Sequence, residues 1–596
     1  MDRNTIIGFV LIALVLLVWM SMNAPAPPPP MTAADSAAVG HRMADTLRQP
    51  ASPAAQQGSV STADTLGKFF SQLSEGPQKT LTIETGLYRA TLASQGAGIR
   101  SWELKKFQTW DHHPVNFMDR AKASDFSLLF YSADGKLINT KNLTFESKYR
   151  DQQSVTLGET DSIAVEYILP ISASSRIVKT LVFHGDTYAF DALYRFEGMQ
   201  NIISNFEYQV VWESPLRYFE HNSVDESNHA KSASFAGGEL TEADASDFDV
   251  PIRQTISGRV SWVAMRNKYF AVAIIPREKE SQGAELGGVK YHEPDNGAKE
   301  NYTLALKMPF TGRQSESDHF TVFMGPLDFD IIKGYNVELD KIMSLGAAWV
   351  IRPISEYVIL PLFKVLHMVI SNYGIVLILF SFIVKLALYP LTKSSMESMR
   401  KMQALQPMMT EIREKHKDDP QKMNQQIMRL YKEYGVNPAG GCLPLILQMP
   451  ILYALWSVFS STIELRQASF VWWIHDLSIP DVVAQLPFQI PLFGIDKLSG
   501  LAMAMGVTMF VQQKMSVQDP RQKMMIWMMP VMMTLLFNSF PAGLNLYYFM
   551  FNLLSIAQQA WMNNQHKNDP LQKVEVKKSS GGIFTSIAKN LPKLKQ

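Results

Sequence analysis

The fold class of this chain follows first from Gly374–Pro390, GIVLILFSFIVKLALYP, a long apolar run that contains a single charge, Lys385. The run approaches the ~20 residues that an α-helix needs to cross a hydrocarbon core of ~30 Å. A lysine near the centre of a bilayer costs ~2.5–3.5 kcal/mol, so a charge in such a run is functional by default. A second interpretation stays open, because Lys385 lies roughly 7.5 Å from the predicted helix end and could snorkel to the interface.

Further apolar stretches continue this pattern toward the carboxyl end of the chain. Including the extended first run, they lie at about 369–390, 441–461, 498–515, 524–540 and 543–562. Together with the apolar run Ile6–Met20 they predict six membrane spans, of which five form a core over residues 346–565. The chain is therefore expected to be a polytopic α-helical membrane protein.

Lysine and arginine in the short loops predict the orientation of these spans. The connection 391–438 contains nine of them, whereas 463–497 contains only Arg466 and Lys497. Loops rich in Lys and Arg stay on the cytoplasmic side of a membrane. We therefore expect the N-terminus, the connection 391–438 and the basic tail 566–596 to lie inside, and the long region before the core to lie outside.

The first span has two interpretations, a cleaved signal peptide and a retained anchor. Pro27 would directly follow the small residues Ala24–Ala26, and Arg3 is the only positive residue before the apolar run. Both observations favour a retained anchor over residues 1–21. Residues 22–67 are rich in Ala, Pro, Ser and Gln, a composition that cannot bury enough apolar surface to fold, so they predict a flexible linker.

Residues 68–345 predict a large β-sandwich domain outside the membrane. Apolar and polar residues alternate along many short segments, for example 80–84, 163–169 and 206–212. Such period-two segments, bounded by Gly, Asn and Asp, are typical of β-strands. Residues 327–345 at the end of the domain predict an amphipathic helix. The lone cysteine, Cys442, lies in a predicted span, so the domain must be stable without a disulfide.

Polar side chains recur within the predicted spans. The last span carries five of them at spacings of 3, 4, 3 and 4, which puts them on one helical face: Asn545, Tyr548, Asn552, Ser555 and Gln559. Other spans add Ser381, one turn before Lys385, together with Gln448, Thr508 and Gln512. One interpretation is hydrogen bonding between helices, worth ~0.6 kcal/mol per bond. The lysine favours the other, a water-containing cavity open toward the cytoplasm.

The connection 391–438 predicts a hairpin of two amphipathic helices, about 395–415 and 421–434, joined at Lys417–Pro420. Its apolar stripes include four methionines: Met399, Met402, Met409 and Met423. Methionine is flexible and polarizable, which suits a docking surface for varied partners. Packing between the two helices is the alternative use of the same stripe.

The sequence shows no catalytic constellation. It has no G-x-S-x-G, P-loop or HExxH motif. His112 and His113 are adjacent and lack a third ligand at a suitable spacing, so no metal or other cofactor is expected. The balance of 56 Lys+Arg against 55 Asp+Glu gives no general reason to expect nucleic-acid binding.

Four long motifs in this chain resemble those of the YidC-type membrane protein insertases of Gram-negative bacteria. They are FIVKLALYPLT (Phe382–Thr392), NPAGGCLPLILQMP (Asn437–Pro450), ELRQASFVWWIHDLS (Glu464–Ser478) and FPAGLNLYYFMFN (Phe540–Asn552). The resemblance extends to the order of anchor, outside domain and five-span core. It implies that the first span is a signal anchor in the inner membrane and that the periplasmic domain is a β-supersandwich similar to galactose-mutarotase folds.

The resemblance also implies a mechanism without an enzymatic step. A hydrophilic groove, open to cytoplasm and lipid, receives the polar segment of a nascent membrane protein, whose apolar span then slides along the third and fifth spans. The groove would contain Ser381, Lys385, Gln448, Thr508, Gln512, Asn545, Tyr548 and Asn552. The family's positive groove residue is usually arginine, and Lys385 keeps the charge while losing bidentate pairing.

The partners implied by the resemblance are nascent membrane proteins, the Sec translocon, the ribosome, the signal-recognition targeting machinery and membrane lipids. The Met-rich hairpin and the basic tail would be the docking elements. Two other functions compete with insertion. A transporter or channel for a small anion would use the same lysine, but no inverted repeat is evident. A tethered carbohydrate-active domain would need paired carboxylates, and none can be nominated.

Overall fold

The computed structural model describes residues 62–119, 124–294, 296–436, 443–490, 494–516, 523–565 and 573. The predicted anchor 1–21, almost all of the linker 22–67 and most of the tail 566–596 lie outside the described residues. All contacts reported below belong to the compact unit of residues 65–596.

Twenty strands between residues 80 and 326 form the β domain. They are β1 Thr80–Glu84, β2 Tyr88–Ala93, β3 Gly98–Gln108, β4 Pro114–Asn116, β5 Ser127–Tyr131, β6 Leu137–Asn139, β7 Glu146–Ser147, β8 Gln153–Thr156, β9 Ser162–Pro170, β10 Arg176–His184, β11 Ala189–Glu197, β12 Glu207–Trp212, β13 Lys231–Ala236, β14 Glu239–Ala243, β15 Ile252–Ser257, β16 Val260–Arg266, β17 Phe270–Pro276, β18 Gly283–Glu293, β19 Gly297–Pro309 and β20 Ser315–Pro326. The hairpin β21 Val482–Ile490 and β22 Ile495–Ser499 lies apart from them in the chain.

The β domain contains three sheets that share one core. Their strand orders are β4-β3-β2-β1-β8, β14-β13-β16-β17-β20-β11-β10-β9-β7 and β15-β18-β19-β12-β5-β6. Most strands alternate buried and exposed residues, as period-two sequences predict, but β16 and β17 in the nine-stranded sheet are buried almost throughout. Trp102 of β3 contacts Phe183 and Phe190 of the nine-stranded sheet and donates its indole N–H to the carbonyl of Met324 at 2.8 Å.

Helices dominate the chain after residue 350. The described α-helices are α1 Thr62–Phe70, α2 Ser223–Ser227, α3 Phe329–Lys333, α4 Ile351–Ile354, α5 Leu360–Val369, α6 Tyr373–Ala387, α7 Tyr389–Ala404, α8 Gln406–Lys415, α9 Pro420–Glu433, α10 Leu443–Ser461, α11 Gly500–Ser516, α12 Lys523–Phe537 and α13 Ala542–Gln565. A π-helical turn, Ser355–Ile359, joins α4 to α5. In the helical core, residues 351–565, α13 packs against both α6 and α11, and α11 packs against α12.

The helices follow the predicted apolar stretches closely, but length and composition do not by themselves identify spans. In the described part of the chain, no single helix is both long enough and apolar enough to cross a membrane. The pair Tyr373–Ala387 and Thr392–Ala404 meets those two criteria together, with a bend of 70° between its members. The six predicted spans therefore stay a prediction.

Two predicted helices differ from the structure. Residues 327–345 form the short helix α3 and a 3₁₀ turn, Leu339–Ile342, in place of one amphipathic helix. Gly334 caps the end of α3, and Glu338 adopts φ 57°, a left-handed conformation that no continuous helix accommodates. The first helix of the connection 391–438 begins earlier, at Tyr389, and is interrupted at Leu405, where Pro407 opens α8.

Arg466, in the loop after α10, joins the helical core to the β domain. Its Nε donates to the carboxylate of Glu220 at 2.6 Å, and its Nη2 donates to the carbonyl of Gln108 at 2.5 Å. The guanidinium also lies 5.8 and 5.5 Å from the ring centroids of Tyr269 and Phe270. Because both partners of the ion pair are largely buried, this contact fixes the position of the loop against the β domain.

Candidate substrate groove

Lys385 is the central charge of the candidate groove. It lies near the end of α6, and only 8% of its surface is exposed. Its Nζ donates to Ser555 Oγ of α13 at 2.7 Å and lies 4.7 Å from the ring centroid of Phe551. Among the described residues, no carboxylate forms an ion pair with it. Among the residues that the structure describes, the ammonium is thus held by a hydroxyl and an aromatic face, without a negative partner.

Ser381 lies one turn before Lys385 on the same face of α6, as predicted. Its Oγ donates to the carbonyl of Leu377 at 2.8 Å and approaches the carbonyl of Tyr547 at 3.5 Å. The helix starts where Asn372 caps it by accepting a hydrogen bond from the N–H of Ile375. These contacts bring the polar face of α6 against α13.

Gln448 reaches this region through a residue that the sequence did not single out. Its Nε2 donates to the hydroxyl of Tyr547, which is fully buried, at 3.3 Å. The predicted Tyr548 is half-buried and packs against the ring of Phe537 at 5.2 Å. Tyr547 could have been found from its spacing of four and eight residues before Phe551 and Ser555, which places it on the face that contacts Lys385.

Two further predicted residues meet between α11 and α13. Asn552 donates through its Nδ2 to Thr508 Oγ1 at 3.4 Å, and Thr508 donates to the carbonyl of Met505 at 2.7 Å. Gln512 lies one turn beyond Thr508 and is half-buried. Gln559, one turn beyond Ser555, exchanges hydrogen bonds with Ser516 at 3.2–3.3 Å. Asn552 and Gln559 of the predicted stripe therefore both contact α11.

Asn545 does not join the residues around Lys385. It precedes Ser555 by ten residues, about 15 Å along a helix. Its Nδ2 donates to the carbonyls of Phe537 and Phe540 and approaches Ser499 Oγ at 3.5 Å. Its buried Oδ1 accepts no hydrogen bond within the described part of the chain. Helical spacing identified its face correctly but gave no information about its depth.

The hairpin formed by α8 and α9 uses part of its methionine stripe for its own packing. Met409 and Met423 are buried, and the hydroxyl of Tyr431 lies 3.5 Å from Met409 Sδ. Met399 and Met402 are half-buried, whereas Met428 on α9 is exposed. His112 and His113 lie exposed in a turn of the β domain, and no group of three metal-ligating residues occurs within the described ranges.

Two family models match the chain, one over the β domain and one over the helical core. The family model for the YidC periplasmic domain matches residues 80–356, and the model for the 60Kd inner membrane protein matches residues 365–569. The membrane protein insertase YidC of Chlorobaculum tepidum is 41% identical over 567 residues, covering 94% of this chain and 95% of the relative. The chain belongs to the YidC family of membrane protein insertases. The YidC insertase of Chlorobium phaeovibrioides is 39% identical and covers 98% of this chain and 100% of its own.

A crystal structure of an active YidC insertase with its first transmembrane domain resolved is also similar, at 18% identity and a TM-score of 0.35. That match covers 85% of this chain and 98% of the other.

Membership in the YidC family turns several expectations into findings. The β domain is the periplasmic domain of an inner-membrane protein, and the helical core belongs to the 60Kd inner membrane protein family. The prediction of a β-rich periplasmic domain joined to a helical membrane domain is confirmed. The relatives are membrane protein insertases, and insertion implies that nascent membrane proteins are the substrates of this family.

Proposed function

We propose that this YidC-family chain inserts inner-membrane proteins, and helps them fold, through a hydrophilic groove open to the cytoplasm in which Lys385 is the positive residue. The observation that carries the proposal is the environment of that lysine. A buried cation is normally paired, because removing a charge from water is costly. Lys385 has only Ser555 and Phe551 as partners of its Nζ among the described residues, which leaves its charge for an acidic segment of the substrate.

The residues near Lys385 suit transient contact with a polar chain segment. Ser381, Gln448, Thr508, Gln512 and Asn552 carry hydroxyl and amide groups that exchange neutral hydrogen bonds, each worth about 1 kcal/mol. Tyr548 and Asn545 would border the groove toward the periplasmic side. Burial of ~20 apolar residues then drives insertion, and the membrane potential favours outward transfer of acidic segments, so no nucleotide is needed.

We extend the proposal to the arrangement in the membrane. Residues 1–21 form a signal anchor, 22–67 a linker, 68–345 the periplasmic domain, 346–565 the five-span insertase core with the cytoplasmic hairpin 391–438, and 566–596 a cytoplasmic basic tail. Five described helices support this assignment because they nearly coincide with predicted spans: α6, α10, α11, α12 and α13. Both termini then lie in the cytoplasm.

The proposed partners are the Sec translocon, the ribosome, the signal-recognition targeting machinery and membrane lipids. The exposed side of α9 supports docking at the hairpin, because Met428 lies beside Arg429 and Lys432 there. The chain would act independently or with the Sec translocon.

Crosslinking of a stalled nascent membrane protein tests the groove. Photoreactive residues would replace Met449 on α10 and Val531 on α12, which are exposed apolar positions on the third and fifth proposed spans. Val507 on α11 is exposed to a similar degree and serves as the matched control. We expect adducts with the nascent span from the first two positions and few from Val507. Equal labelling from all three would contradict a defined sliding face.

A further inference from the structure

The first strand of the hairpin β21–β22 is uncharged and largely exposed. The hairpin connects α10 to α11, and its first strand reads VVAQLPFQI, nine residues without a charge. Almost every residue of β21 is exposed, and Phe488 is 61% exposed. An uncharged strand normally buries at least one face. An exposed apolar strand of this kind is typical of a surface that contacts lipid or another protein.

Two tryptophans lie beside the base of this hairpin. Trp472 is 82% exposed, and its ring stacks on that of Trp473 at 5.8 Å between centroids. Tryptophan is enriched at the level of lipid headgroups, where its apolar ring and its N–H group are both accommodated. The Trp473 Nε1 instead donates to the buried carboxylate of Asp481 at 2.9 Å.

Asp481 holds the hairpin at a fixed position. Its carboxylate accepts hydrogen bonds from the N–H of Leu501 at 2.8 Å and from Ser499 Oγ, and its carbonyl accepts one from the N–H of Gly500. A carboxylate at the first turn of α11 is also stabilised by the helix dipole. The base of the hairpin is therefore part of the helical core and not a loose loop.

The apolar surface of the hairpin continues onto α11. A Cβ on Gly500 would lie 2.8 Å from Val483 Cγ1 and 3.0 Å from Trp473 Nε1, so both side chains cover the start of this helix. Met503 and Val507 are exposed and follow Gly500 at spacings of three and seven residues, on one helical face. Val483 thus adjoins an exposed apolar stripe on a helix of the membrane domain.

We propose that the strands β21 (Val482–Ile490) and β22 (Ile495–Ser499), together with Trp472 and Trp473, lie in the periplasmic interface of the lipid bilayer. The inference rests on the proposed span at α11, whose exposed stripe it extends. A two-stranded sheet has unpaired N–H and C=O groups on its edges, which cannot enter the hydrocarbon core. The hairpin therefore rests at the boundary between headgroups and acyl chains, where the exposed Asp496 and Lys497 of β22 can reach the headgroups.

Fluorescence quenching by lipids tests this position in the full-length chain. A Cys442→Ser background receives one cysteine at Val483 or Phe488, labelled with an environment-sensitive dye. The protein is reconstituted in vesicles of phosphatidylethanolamine and phosphatidylglycerol brominated near the carbonyl end or near the middle of the acyl chain. Matched labels at Val507, on the span, and at Phe206, exposed on the β domain, give the lipid and water references.

We expect the hairpin labels to lose about half of their fluorescence, more with shallow than with deep bromines. The Phe206 label should lose almost none. Gly500→Val, which displaces Val483 and Trp473, should reduce quenching at Phe488 and leave quenching at Val507 unchanged.

The outcomes separate this inference from the proposal on which it rests. If Val507 is quenched while Val483 and Phe488 behave like Phe206, the hairpin is not in the lipid and the inference fails. If Val507 itself is not quenched, the proposed span fails first. If the hairpin labels leave the aqueous environment only after a stalled substrate is added, the surface contacts the nascent chain. That result would overturn the lipid contact.

Discussion

Two buried lysines, one in the periplasmic domain and one in the helical core, have nearly the same surroundings except for one group. Lys268 is 4% exposed, its Nζ lies 2.7 Å from Asp225 Oδ2, and the ring of Tyr269 is 5.0 Å away. Lys385 is 8% exposed, with a hydroxyl at 2.7 Å and a ring at 4.7 Å. A carboxylate stands in the first site where a serine stands in the second.

The difference separates a structural charge from an available one. Burial alone would lower the pKa of Lys268, but Tyr269 and Asp225 raise it above the ordinary value, so this lysine stays charged and satisfied. In the helical core the anion is missing among the described residues. Since a buried charge gains most from a partner of opposite sign, the proposed function assigns the binding of an acidic substrate segment to Lys385 and not to Lys268.

Removing the Asp225 carboxylate, the partner of Lys268, should have the largest effect on stability. We expect Asp225→Ala to reduce the free energy of unfolding of the periplasmic domain by about 2 kcal/mol, less than for a fully buried pair because Asp225 is partly exposed. Hydrogen exchange of β13 and β16 in the full chain would measure it. Asp244→Ala, which disrupts an exposed pair with Lys231, is the control and should cost less than about 0.5 kcal/mol.

The same variant carries a pH signature. Burial opposes ionisation of Asp225, but Lys268 and His229 lower the pKa of its carboxyl below the ordinary 3.8. A lowered pKa in the folded state contributes stability that is complete above the ordinary value and lost as the pH falls through the folded value. The difference between wild type and Asp225→Ala should therefore shrink below about pH 4. A difference that is independent of pH would show that the ion pair is not its cause.

Reversing the charge of Lys385 should have the second largest effect. Lys385→Glu should reduce insertion of substrates with acidic translocated segments roughly tenfold, the equivalent of one lost charged hydrogen bond. Lys385→Arg should retain activity because it keeps the charge. Protease protection of substrates in cells depleted of other insertases measures the effect, and substrates with neutral segments serve as the control. Wild-type insertion of acidic segments by Lys385→Glu would refute electrostatic capture.

Neutralising Lys268 should lower the stability of the protein, whereas neutralising Lys385 should not. Lys268→Met leaves Asp225 without its cation and should destabilise the periplasmic domain. Lys385→Met removes a charge that has no anionic partner among the described residues, and should leave the helical core equally stable or stabilise it by up to about 1 kcal/mol. Thermal unfolding of the detergent-solubilised chain compares the two. A loss of stability in both variants would erase the distinction between them.

The smallest effect is expected for the hydroxyl that replaces the carboxylate. Ser555→Ala removes one hydrogen bond to Lys385 Nζ, worth about 1 kcal/mol, so insertion should change by no more than about fivefold. Ser460→Ala, at a buried serine near the end of α10, is a control for loss of a hydroxyl elsewhere in the core. Ser555→Asp should copy the satisfied site and reduce insertion of acidic segments more than Ser555→Ala does.

Periodicity predicted what depends on neighbours in the sequence. The predicted stretch 441–461 corresponds to α10, Leu443–Ser461, and the facing of Asn552 and Ser555 follows from helical spacing. Periodicity gives the face of a helix but not the position of a residue along its axis. It therefore placed Asn545 together with residues that lie about two and a half turns away. The strand β21 was missed because its apolar residues do not alternate.

Contacts between distant segments were beyond the sequence for a different reason. Nothing in the pattern around Arg466 indicates that its partner is Glu220, since the two residues come from different domains. The sequence predicted Tyr548 and not Tyr547 as a groove residue, because adjacent tyrosines both fit a helix. Only the packing of the helices shows that Tyr547 is the one that contacts Gln448.

The Arg466 contact has a consequence in time. Arg466 follows Glu220 by 246 residues and Gln108 by 358. At ~5–20 residues per second, the ribosome makes the arginine roughly 12–70 s after its partners. During that interval the rings of Tyr269 and Phe270 lack the guanidinium that lies against them in the complete fold. Formation of this contact therefore requires the loop after α10 and comes late in the protein's own assembly.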